Sequence, residues 1–392
     1  MLLVWEKPSL GLLCVGFSAA CGAWALYRLR GRQVHVEWKV AGVLLLLTAL
    51  CSCYLPASAG LPLFCGICLL SALCVPLQDM LPVHGKAVLI TGCDSGFGHA
   101  LAKYLDDLGF RVFAGVLNKK GAGAEELRSA CSPRLSLLQL DITNSEQTNK
   151  AYTEVQSSLQ NSGLWGIIHN AGVLGYVGDG ELLPLSVYKK CMDVNFFGAV
   201  QISKTFFPLL RRAKGRLVTI SSMAGHAPLP GFAAYGASKA ALSMFSGVMR
   251  QELSKWGVKV ATIQPGAFRT SIYGPQEKWS DQDEHILGDL AADAKEDYGE
   301  DYVKTMKDCY QEMISMSSAD LSPVLSDVYH ALLAKRPRYL YSPGRSAYII
   351  PCIFHYFPLW IYDVITNKMF EGTKKLPPRA LQTHQTHNEK HE

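Results

Sequence analysis

Two kinds of functional signal are missing from this sequence of 392 residues. The formal net charge is only +5, and the cations form no basic stripe interleaved with aromatic residues, so nucleic-acid binding is not expected. Cysteine pairs with other metal ligands are also missing. Cys51, Cys53, Cys65 and Cys68 lie in apolar runs without a nearby histidine or carboxylate. We therefore expect free thiols packed as small apolar side chains, and we predict neither a metal site nor a disulfide framework.

Charge is also missing from three apolar stretches in residues 1–80, which the sequence predicts to be a membrane anchor. The stretches are Leu10–Leu26, Val40–Leu55 and Leu61–Leu77, each close to the length of about 17–25 residues that spans a bilayer. Arginines, not a small-residue cleavage site, follow the first stretch, which disfavours a signal peptide. Cations between the first two stretches predict a cytoplasmic loop, and hence a cytoplasmic catalytic part whether the later stretches span or form a re-entrant hairpin.

After residue 80 the composition changes to that of an α/β domain. Short β-branched or apolar runs alternate with longer helical stretches, which predicts a parallel sheet wound by helices on both faces. The runs predicted as strands are Ala87–Ile90, Val112–Val116, Leu135–Leu140, Gly166–His169, Leu217–Ile220, Val258–Ile263 and Arg338–Tyr341.

A glycine-rich turn follows the first predicted strand and leads directly into the helical run His99–Leu108. The turn reads Thr-Gly-Cys-Asp-Ser-Gly-Phe-Gly from Thr91 to Gly98. Glycines at such a turn allow a tight reversal, contact between the backbone and a pyrophosphate, and close packing of the helix on the strand. The position of the turn therefore favours dinucleotide binding over a purely geometric use of glycine.

The spacing Thr-Gly-x-x-x-Gly-x-Gly resembles the short-chain dehydrogenase/reductase family over about residues 83–345, together with Asn170-Ala171-Gly172 after the fourth predicted strand. His169 stands where the family more often has another asparagine. The resemblance implies a Rossmann-type doubly wound sheet. The cofactor-binding residues that it implies are Thr91, Gly92, Asp94, Ser95, Gly96, Phe97, Gly98, Asp141, Asn170, Ala171, Gly172, Tyr235, Lys239, Pro265, Gly266 and Thr270.

Tyr235 and Lys239 are four positions apart at the start of a helical run that extends to about Trp256, so both side chains face the same volume. Oxidation of a secondary alcohol needs a base for the hydroxyl proton and a hydride acceptor, which a nicotinamide supplies. An ordinary tyrosine is a poor base at neutral pH. We expect the nearby Lys239 ammonium, helped by the positive charge of the nicotinamide, to favour the phenolate form of Tyr235 and so to lower its pKa.

The family resemblance implies further roles around this pair. It gives the lysine a second function in binding the ribose, and it places a serine thirteen residues before the tyrosine, which is Ser222. Ser222 would orient the substrate oxygen and stabilise charge on it. Its neighbour Ser221 is the alternative. Asn195 matches the residue that holds a water in the proton relay, although it could also simply satisfy buried backbone groups.

The sequence gives mixed signals about the nicotinamide cofactor. NAD-dependent enzymes usually carry an acid at the end of the second strand, and Val116 occupies that position here. Asp94 in the glycine-rich turn should repel a 2′-phosphate, whereas Lys119 and Lys120 could attract one. We predict NAD because Asp94 is held in the turn.

Two aromatic regions lie beyond the nucleotide motifs. The acidic, helical region from Tyr273 to about Ser317 falls where the family carries its substrate lid; its aromatic residues are Trp279, Tyr298, Tyr302 and Tyr310. The segment 346–373 is apolar and aromatic, with Pro351 and Pro358 arguing against a regular spanning helix. It is either a membrane-surface belt beside an entry path or a subdomain docked on its own core. Residues 374–392 are predicted to be disordered.

The runs Ile90–Gly98, Cys131–Leu135 and Glu252–Gly257 resemble the oxidative hydroxysteroid dehydrogenases of the endoplasmic reticulum. That resemblance implies a membrane enzyme that oxidises a steroid, most simply the 17-beta-hydroxyl of oestradiol and testosterone and the 20-alpha-hydroxyl of a progestin, with NAD. Oxidation of an 11-beta-hydroxyl or of retinol remains an alternative. So does a catalytically silent binding or scaffold protein. Family members commonly pair through the helices that carry Asn195 and Tyr235, so a homodimer is possible.

Overall fold

The computed structural model describes residues 80–160, 162–274, 284–315, 317–344, 346–371 and 377–382, except the side chains of 306–313, 370 and 371. The chain divides into two compact units. The smaller unit comprises Met1–Leu81 and Ala334–Tyr339, and in its described part Met80 forms an antiparallel bridge with Ala334. The larger unit comprises Pro82–Leu333 and Leu340–Glu392. All sites discussed below lie within the larger unit.

A seven-stranded parallel sheet forms the centre of the larger unit, in the order β3-β2-β1-β4-β5-β6-β7. β-branched and leucine side chains form these strands, and β1, β4 and β5 are buried along their whole length, as expected for a sheet covered on both faces. The strands are β1 Ala87–Ile90, β2 Arg111–Val116, β3 Leu135–Gln139, β4 Gly166–His169, β5 Arg216–Ile220, β6 Lys259–Ile263 and β7 Leu340–Tyr341.

Eleven helices with bounds in the described part of the chain surround this sheet or follow it. Between α4 and α5 lies a π-helical turn, Asp193–Gly198. The helices are α1 Gly96–Asp107, α2 Ala122–Ala130, α3 Ser145–Leu159, α4 Leu185–Met192, α5 Ala199–Ala213, α6 Ala233–Glu252, α7 Ala292–Tyr298, α8 Glu300–Ser315, α9 Ser322–Leu333, α10 Ser346–Tyr356 and α11 Leu359–Glu371.

Apolar packing holds these layers together. On one face, α3 and α5 join the strands in one cluster that includes Val155, Phe206 and Leu210. On the other face α1 contacts α9. Trp165, which precedes β4, also ties the sheet to α9, since its Nε1 donates a hydrogen bond to Leu332 O at 3.1 Å. Strand order reverses between β1 and β4, and in doubly wound sheets a ligand crevice opens at the carboxyl ends of the strands at that point.

The structure confirms all seven strands that the sequence predicted; β1 and β4 keep their predicted bounds, and the other five have shifted ends. The first helix begins at Gly96, three residues before the predicted start, because the glycine-rich turn itself supplies the first helical residues. β7 is only two residues long, since only Thr262 and Ile263 of β6 pair with it. Pro351 lies inside α10, whereas Pro358 follows the end of α10 and precedes α11.

No helix in the described ranges is both long enough and apolar enough to cross a bilayer. The three stretches predicted as an anchor lie outside those ranges, as do Trp279 and the tail after residue 382.

Candidate active site

A cavity of about 1260 Å³ opens at the carboxyl ends of the strands. Single small-molecule sites measure about 300–1,000 Å³, so this cavity has room for two ligands side by side. One end is lined by Asp94 and Leu117, beside β1 and β2. The other end is lined by Phe232 and Tyr235, at the start of α6.

The glycine-rich turn forms the floor of the first end. Gly92 has a φ of 70°, and a Cβ there would lie 2.8 Å from Ala171 Cα. A Cβ at Gly98 would lie 2.2 Å from Gly92 O, so both positions need glycine. Asn170 Nδ2 donates to Gly92 O and to Thr91 O at 2.9 Å each, which ties the turn to β4.

Asp94 lies where β2 ends, and its carboxylate is held by backbone amides. Its two oxygens accept hydrogen bonds from Leu117 N at 3.0 and 2.9 Å, and one accepts from Asn118 N at 3.3 Å. Val116, which occupies the family position of the acid, is fully buried and cannot face a ligand. The carboxylate that lies at the end of β2 therefore comes from the turn after β1, not from β2 itself.

Gln139, the last residue of β3, fixes the same segment from its other side. Its Nε2 donates to Leu117 O at 2.6 Å, and its Oε1 accepts from Lys119 N at 3.2 Å. Sequence reasoning missed Gln139. Its position at the end of a strand beside β2 was the available signal, but the pairing of β2 with β3 was needed to interpret it.

Tyr235, Lys239 and Ser222 meet at the other end of the cavity. The Ser222 side chain lies near enough to the Tyr235 hydroxyl for hydrogen bonding between them to lower the pKa of the phenol. Lys239 Nζ lies 5.7 Å from the centre of the Tyr235 ring and donates to Ile220 O at 3.0 Å. Two residues on one turn of α6 and one residue just after β5 therefore lie close together.

Burial shifts the pKa values of both ionisable groups towards their neutral forms. It raises the pKa of the Tyr235 phenol well above its ordinary value, against the lowering effect of the Ser222 hydrogen bond, while Tyr273 and Cys191 add to the rise. It lowers the pKa of the Lys239 ammonium to about 8. Desolvation outweighs the lowering effect of Ser222 on the Tyr235 pKa, so the phenol needs positive charge beside it to ionise at neutral pH.

The two neighbouring serines have different surroundings. Ser221 Oγ donates to Lys239 O at 3.0 Å and lies 2.8 Å from Ser243 Oγ, so it fixes the packing of β5 on α6. Ser222 Oγ accepts from Ala224 N at 3.2 Å and bonds with Tyr235. Ser222 is therefore the one whose hydroxyl reaches the tyrosine.

Asn195 lies in the π-helical turn and is fully buried. Its Oδ1 accepts from Val173 N at 2.7 Å, and its Nδ2 donates to Val173 O and to Ser238 Oγ, each at 2.9 Å. A Cβ at Gly172 would lie 3.0 Å from Asn195 Oδ1 and 3.2 Å from Lys239 Nζ, so the three residues adjoin. The π-helical turn, a form often found at functional sites, was not foreseen from the sequence.

His169 is buried next to this group. Its Nε2 lies 2.7 Å from Ser203 Oγ. Burial, and then the charge of Lys239, lower the pKa of the imidazole to about 3, so His169 is neutral at physiological pH. Because it packs beneath the site and does not line the cavity, its replacement of the family asparagine leaves the cavity surface unchanged.

Most of the residues predicted from the sequence line the cavity, and three support it from behind. Thr91, Gly98 and Asn195 lie behind the cavity wall. Asp141 lines the cavity, and its Oδ1 accepts from Thr143 N at 2.9 Å. The cavity-lining residues among those predicted are Gly92, Asp94, Ser95, Gly96, Phe97, Asp141, Asn170, Ala171, Gly172, Ser222, Tyr235, Lys239, Pro265, Gly266 and Thr270.

The walls around Tyr235 are apolar. Leu174 is buried there against Phe232, Ile272 and Tyr273. The predicted lid folds as helices and packs nearby, with Tyr302 buried in the cluster that contains Leu182, Leu183 and Ala234. The Tyr302 hydroxyl donates to Asp179, and the Tyr298 hydroxyl donates to Glu181 Oε2 at 2.8 Å. Tyr310 lies on α8, but its side chain is outside the described set.

The cavity fits a dinucleotide beside an apolar substrate. The Ser95 side chain does not cap α1, so the first amides of that helix can bind an anion, as at pyrophosphate sites. Asp94 at one end and Lys239 at the other are side chains that could hydrogen-bond with the two ribose groups of a dinucleotide. The cavity is continuous between them. The arrangement suits hydride transfer coupled to removal of a hydroxyl proton.

Comparison with known proteins agrees with this geometry. The sequence pattern described as short chain dehydrogenase matches residues 86–281. Human "17-beta-hydroxysteroid dehydrogenase type 2" is 54% identical over 335 residues, 86% of each chain. Rat "Estradiol 17-beta-dehydrogenase 2" is 49% identical over 376 residues, 94% of this chain and 95% of its own. Bovine "11-beta-hydroxysteroid dehydrogenase type 2" is 43% identical over 305 residues, 78% of this chain and 75% of its own.

Solved structures show the same fold at lower identity. A short-chain dehydrogenase/reductase from Burkholderia phymatum in complex with NAD has a TM-score of 0.57 at 18% identity, covering 76% of this chain and 98% of its own. A short-chain dehydrogenase from Burkholderia cenocepacia J2315 in complex with NADP has a TM-score of 0.55 at 21% identity, covering 73% and 99%.

Proposed function

Because the chain belongs to the short-chain dehydrogenase family, whose members bind NAD or NADP, we propose that it uses NAD to oxidise a secondary alcohol of a steroid. The alcohol that we propose is the 17-beta-hydroxyl of oestradiol and testosterone, and also the 20-alpha-hydroxyl of a progestin. The observation that carries this proposal is the meeting of Tyr235, Ser222 and Lys239 at the junction of the polar and apolar ends of one cavity.

In the proposed mechanism Tyr235 removes the hydroxyl proton. Ser222 holds the substrate oxygen beside the phenol and stabilises negative charge on it as the carbon–hydrogen bond breaks. When bound, the oxidised nicotinamide accepts the hydride. Because burial raises the pKa of Tyr235, the phenolate needs the positive charges beside it, and the Lys239 ammonium is the one that the chain supplies. Asn195 and Ser238 keep the Lys239 turn of α6 in place.

We propose NAD over NADP because of the charge near β2. The Asp94 carboxylate already accepts the Leu117 and Asn118 amides, which could otherwise bind a 2′-phosphate. A second negative charge at that position would be repelled. The backbone of Lys119 is held by Gln139, which opposes movement of the segment towards a phosphate.

The steroid assignment combines the apolar wall with the names of the relatives. Leu174, Phe232 and Ile272 form a surface that suits a rigid hydrocarbon, with polar groups concentrated near Tyr235. Similarity to oestradiol 17-beta-dehydrogenases over most of the chain favours the 17-beta position. Similarity to 11-beta-hydroxysteroid dehydrogenases makes the 11-beta position the second candidate.

The test uses membranes that contain the full chain, supplied with NAD or NADP and one of four alcohols: oestradiol, testosterone, cortisol or retinol. We expect NADH production with the first two and little with cortisol or retinol. A preference for cortisol would overturn the 17-beta assignment. Reduction of NADP at an equal rate would overturn the cofactor assignment, and no product with any alcohol would favour a silent binding protein.

A further inference from the structure

The two C-terminal helices, α10 and α11, meet at a corner made only of exposed apolar and aromatic residues. We name residues 356–360, Tyr-Phe-Pro-Leu-Trp, the C-terminal corner. All five side chains are exposed, with Trp360 at 67% and Phe357 at 54%. Soluble surfaces carry apolar residues singly, and a run of this kind on a monomer marks a surface that contacts a partner.

The C-terminal corner is held in place by the opposite face of the same helices. Tyr362 is buried, and its hydroxyl donates to Pro228 O. The rings of Phe354 and Tyr362 lie 5.1 Å apart and join the two helices. Ile350 is buried in the same cluster. The exposed corner therefore belongs to a docked element, whose inner face packs on the domain.

The side chains of the corner match the interface of a lipid bilayer. Tyr356 and Trp360 each combine an apolar ring with one polar atom, the combination that concentrates at the headgroup level, and Phe357 and Leu359 are fully apolar. No residue between Tyr356 and Tyr362 carries a charge.

The charged residues that follow the corner in the sequence also favour contact with lipid headgroups. Between residues 361 and 380 the sequence carries two acids, Asp363 and Glu371, against four cations, which are Lys368, Lys374, Lys375 and Arg379. Such an excess of cations in the sequence complements anionic headgroups. We propose that the C-terminal corner inserts into the interfacial layer of the membrane that the chain occupies, as a contact additional to the predicted anchor.

The surface next to the corner continues into the cavity. Met369 on α11 lines the cavity and is also partly exposed. Leu229, which lines the cavity as well, packs against the buried cluster of Ala227, Ile350 and Tyr362 that joins α10 to α11. A lipid-soluble substrate that leaves the bilayer at the corner therefore finds an apolar path to Tyr235. This entry path rests on the proposed steroid function, whereas the membrane contact does not.

The membrane contact is tested by photocrosslinking the full chain in vesicles of phosphatidylcholine and phosphatidylserine that carry a clickable acyl chain. p-Benzoylphenylalanine replaces Phe357 in one protein and Trp256 in the other. Trp256 is a matched control because it is aromatic and 50% exposed but lies just before β6, at the amino-terminal edge of the sheet. We expect about tenfold more lipid adduct from position 357. Equal yields, or adducts mainly to protein at position 357, would overturn the contact.

The entry path is tested with the double variant Phe357→Ser, Trp360→Ser in the same vesicles. We expect the KM for oestradiol to rise about three- to tenfold, because the corner no longer lies among the acyl chains, with the KM for NAD and kcat unchanged. An unchanged oestradiol KM in the double variant would overturn the path, while lipid adducts from position 357 of the otherwise unaltered chain report the contact separately. A chain that oxidises no steroid but still forms adducts at position 357 would refute the proposed function and leave the contact supported.

Discussion

The two ends of the cavity are built in different ways. At the nucleotide end, backbone groups and short polar side chains fix one another at hydrogen-bond distance, as Asp94 does with the amides of Leu117 and Asn118. At the alcohol end, Leu174, Phe232 and Ile272 fill space without directional bonds. Polar contacts demand particular residues, whereas an apolar wall demands only shape and volume. The residues of the nucleotide end can therefore be predicted from the sequence, whereas those of the alcohol end are identified only in the folded chain.

Tyr235 stands where the two ends meet, and its loss gives the largest effect that we expect. Tyr235→Phe should lower kcat by about 10²- to 10⁴-fold, because the variant keeps the ring but cannot accept a proton. Binding of NADH, measured by fluorescence, should be unchanged. The control is Tyr152→Phe, which keeps the ring packed against Phe206 and should retain full turnover. Substantial turnover in Tyr235→Phe would show that the base lies elsewhere.

Variants of Ser222 and Ser221 test which of the two serines acts on the Tyr235 hydroxyl. Ser222→Ala removes the hydrogen bond that lowers the pKa of Tyr235, so that pKa rises further and the active base appears only at higher pH. The rise of kcat with pH should therefore move to higher pH, with kcat at neutral pH reduced about 10²-fold.

Ser221→Ala is the matched control for this change. Its hydroxyl bonds with Lys239 O and Ser243, not with the phenol, so the midpoint of the pH profile should stay where it is in the parent chain. A shift of equal size in both variants would contradict the assignment of Ser222.

Gln139 tests whether the rigidity of the nucleotide end sets cofactor choice. Gln139→Ala removes two hydrogen bonds to the segment after β2, so that segment can move away from Asp94. The ratio of kcat/KM for NAD to that for NADP should fall about tenfold, as expected for the loss of about 1.4 kcal/mol of discrimination. Gln156→Ala, on the exposed side of α3, should leave the ratio unchanged. An unchanged ratio in Gln139→Ala would mean that Asp94 alone sets the preference for NAD over NADP.

A variant of Tyr302 tests the hydrogen bonds that hold the lid at the apolar end of the cavity. We expect it to have the smallest effect on catalysis. Tyr302→Phe removes the hydrogen bond to Asp179 but keeps the ring in its cluster. The oestradiol KM should rise about two- to fivefold with kcat unchanged, since the lid only positions the substrate. Tyr298→Phe removes an exposed bond to Glu181 and should have less effect. A fall in kcat with either variant would place the lid in the chemical step.

The sequence predicted the strands well because buried parallel strands are short, apolar and β-branched, and β1 and β4 match their predicted bounds. Tyr235 and Lys239 were predictable because one helical turn fixes their separation. The π-helical turn around Asn195 was not, since its extra residue per turn depends on packing against Val173 and Ser238. Burial raises the pKa of Tyr235, which spacing could not predict because it carries no information about desolvation. The lowering of that pKa by Lys239 together with the nicotinamide stays a prediction.

By itself the sequence determined the order of strands and helices, the glycines of the turn after β1 and the identity of the residues that meet at Tyr235. These follow from local geometry: a period of two or 3.6 residues, and positions that exclude a Cβ. Only the tertiary structure decided that the Asp94 carboxylate accepts the amides that follow β2, that Gln139 holds the same segment, and that the C-terminal corner stays exposed. Those outcomes depend on which segments become neighbours, and packing across the whole sheet decides that.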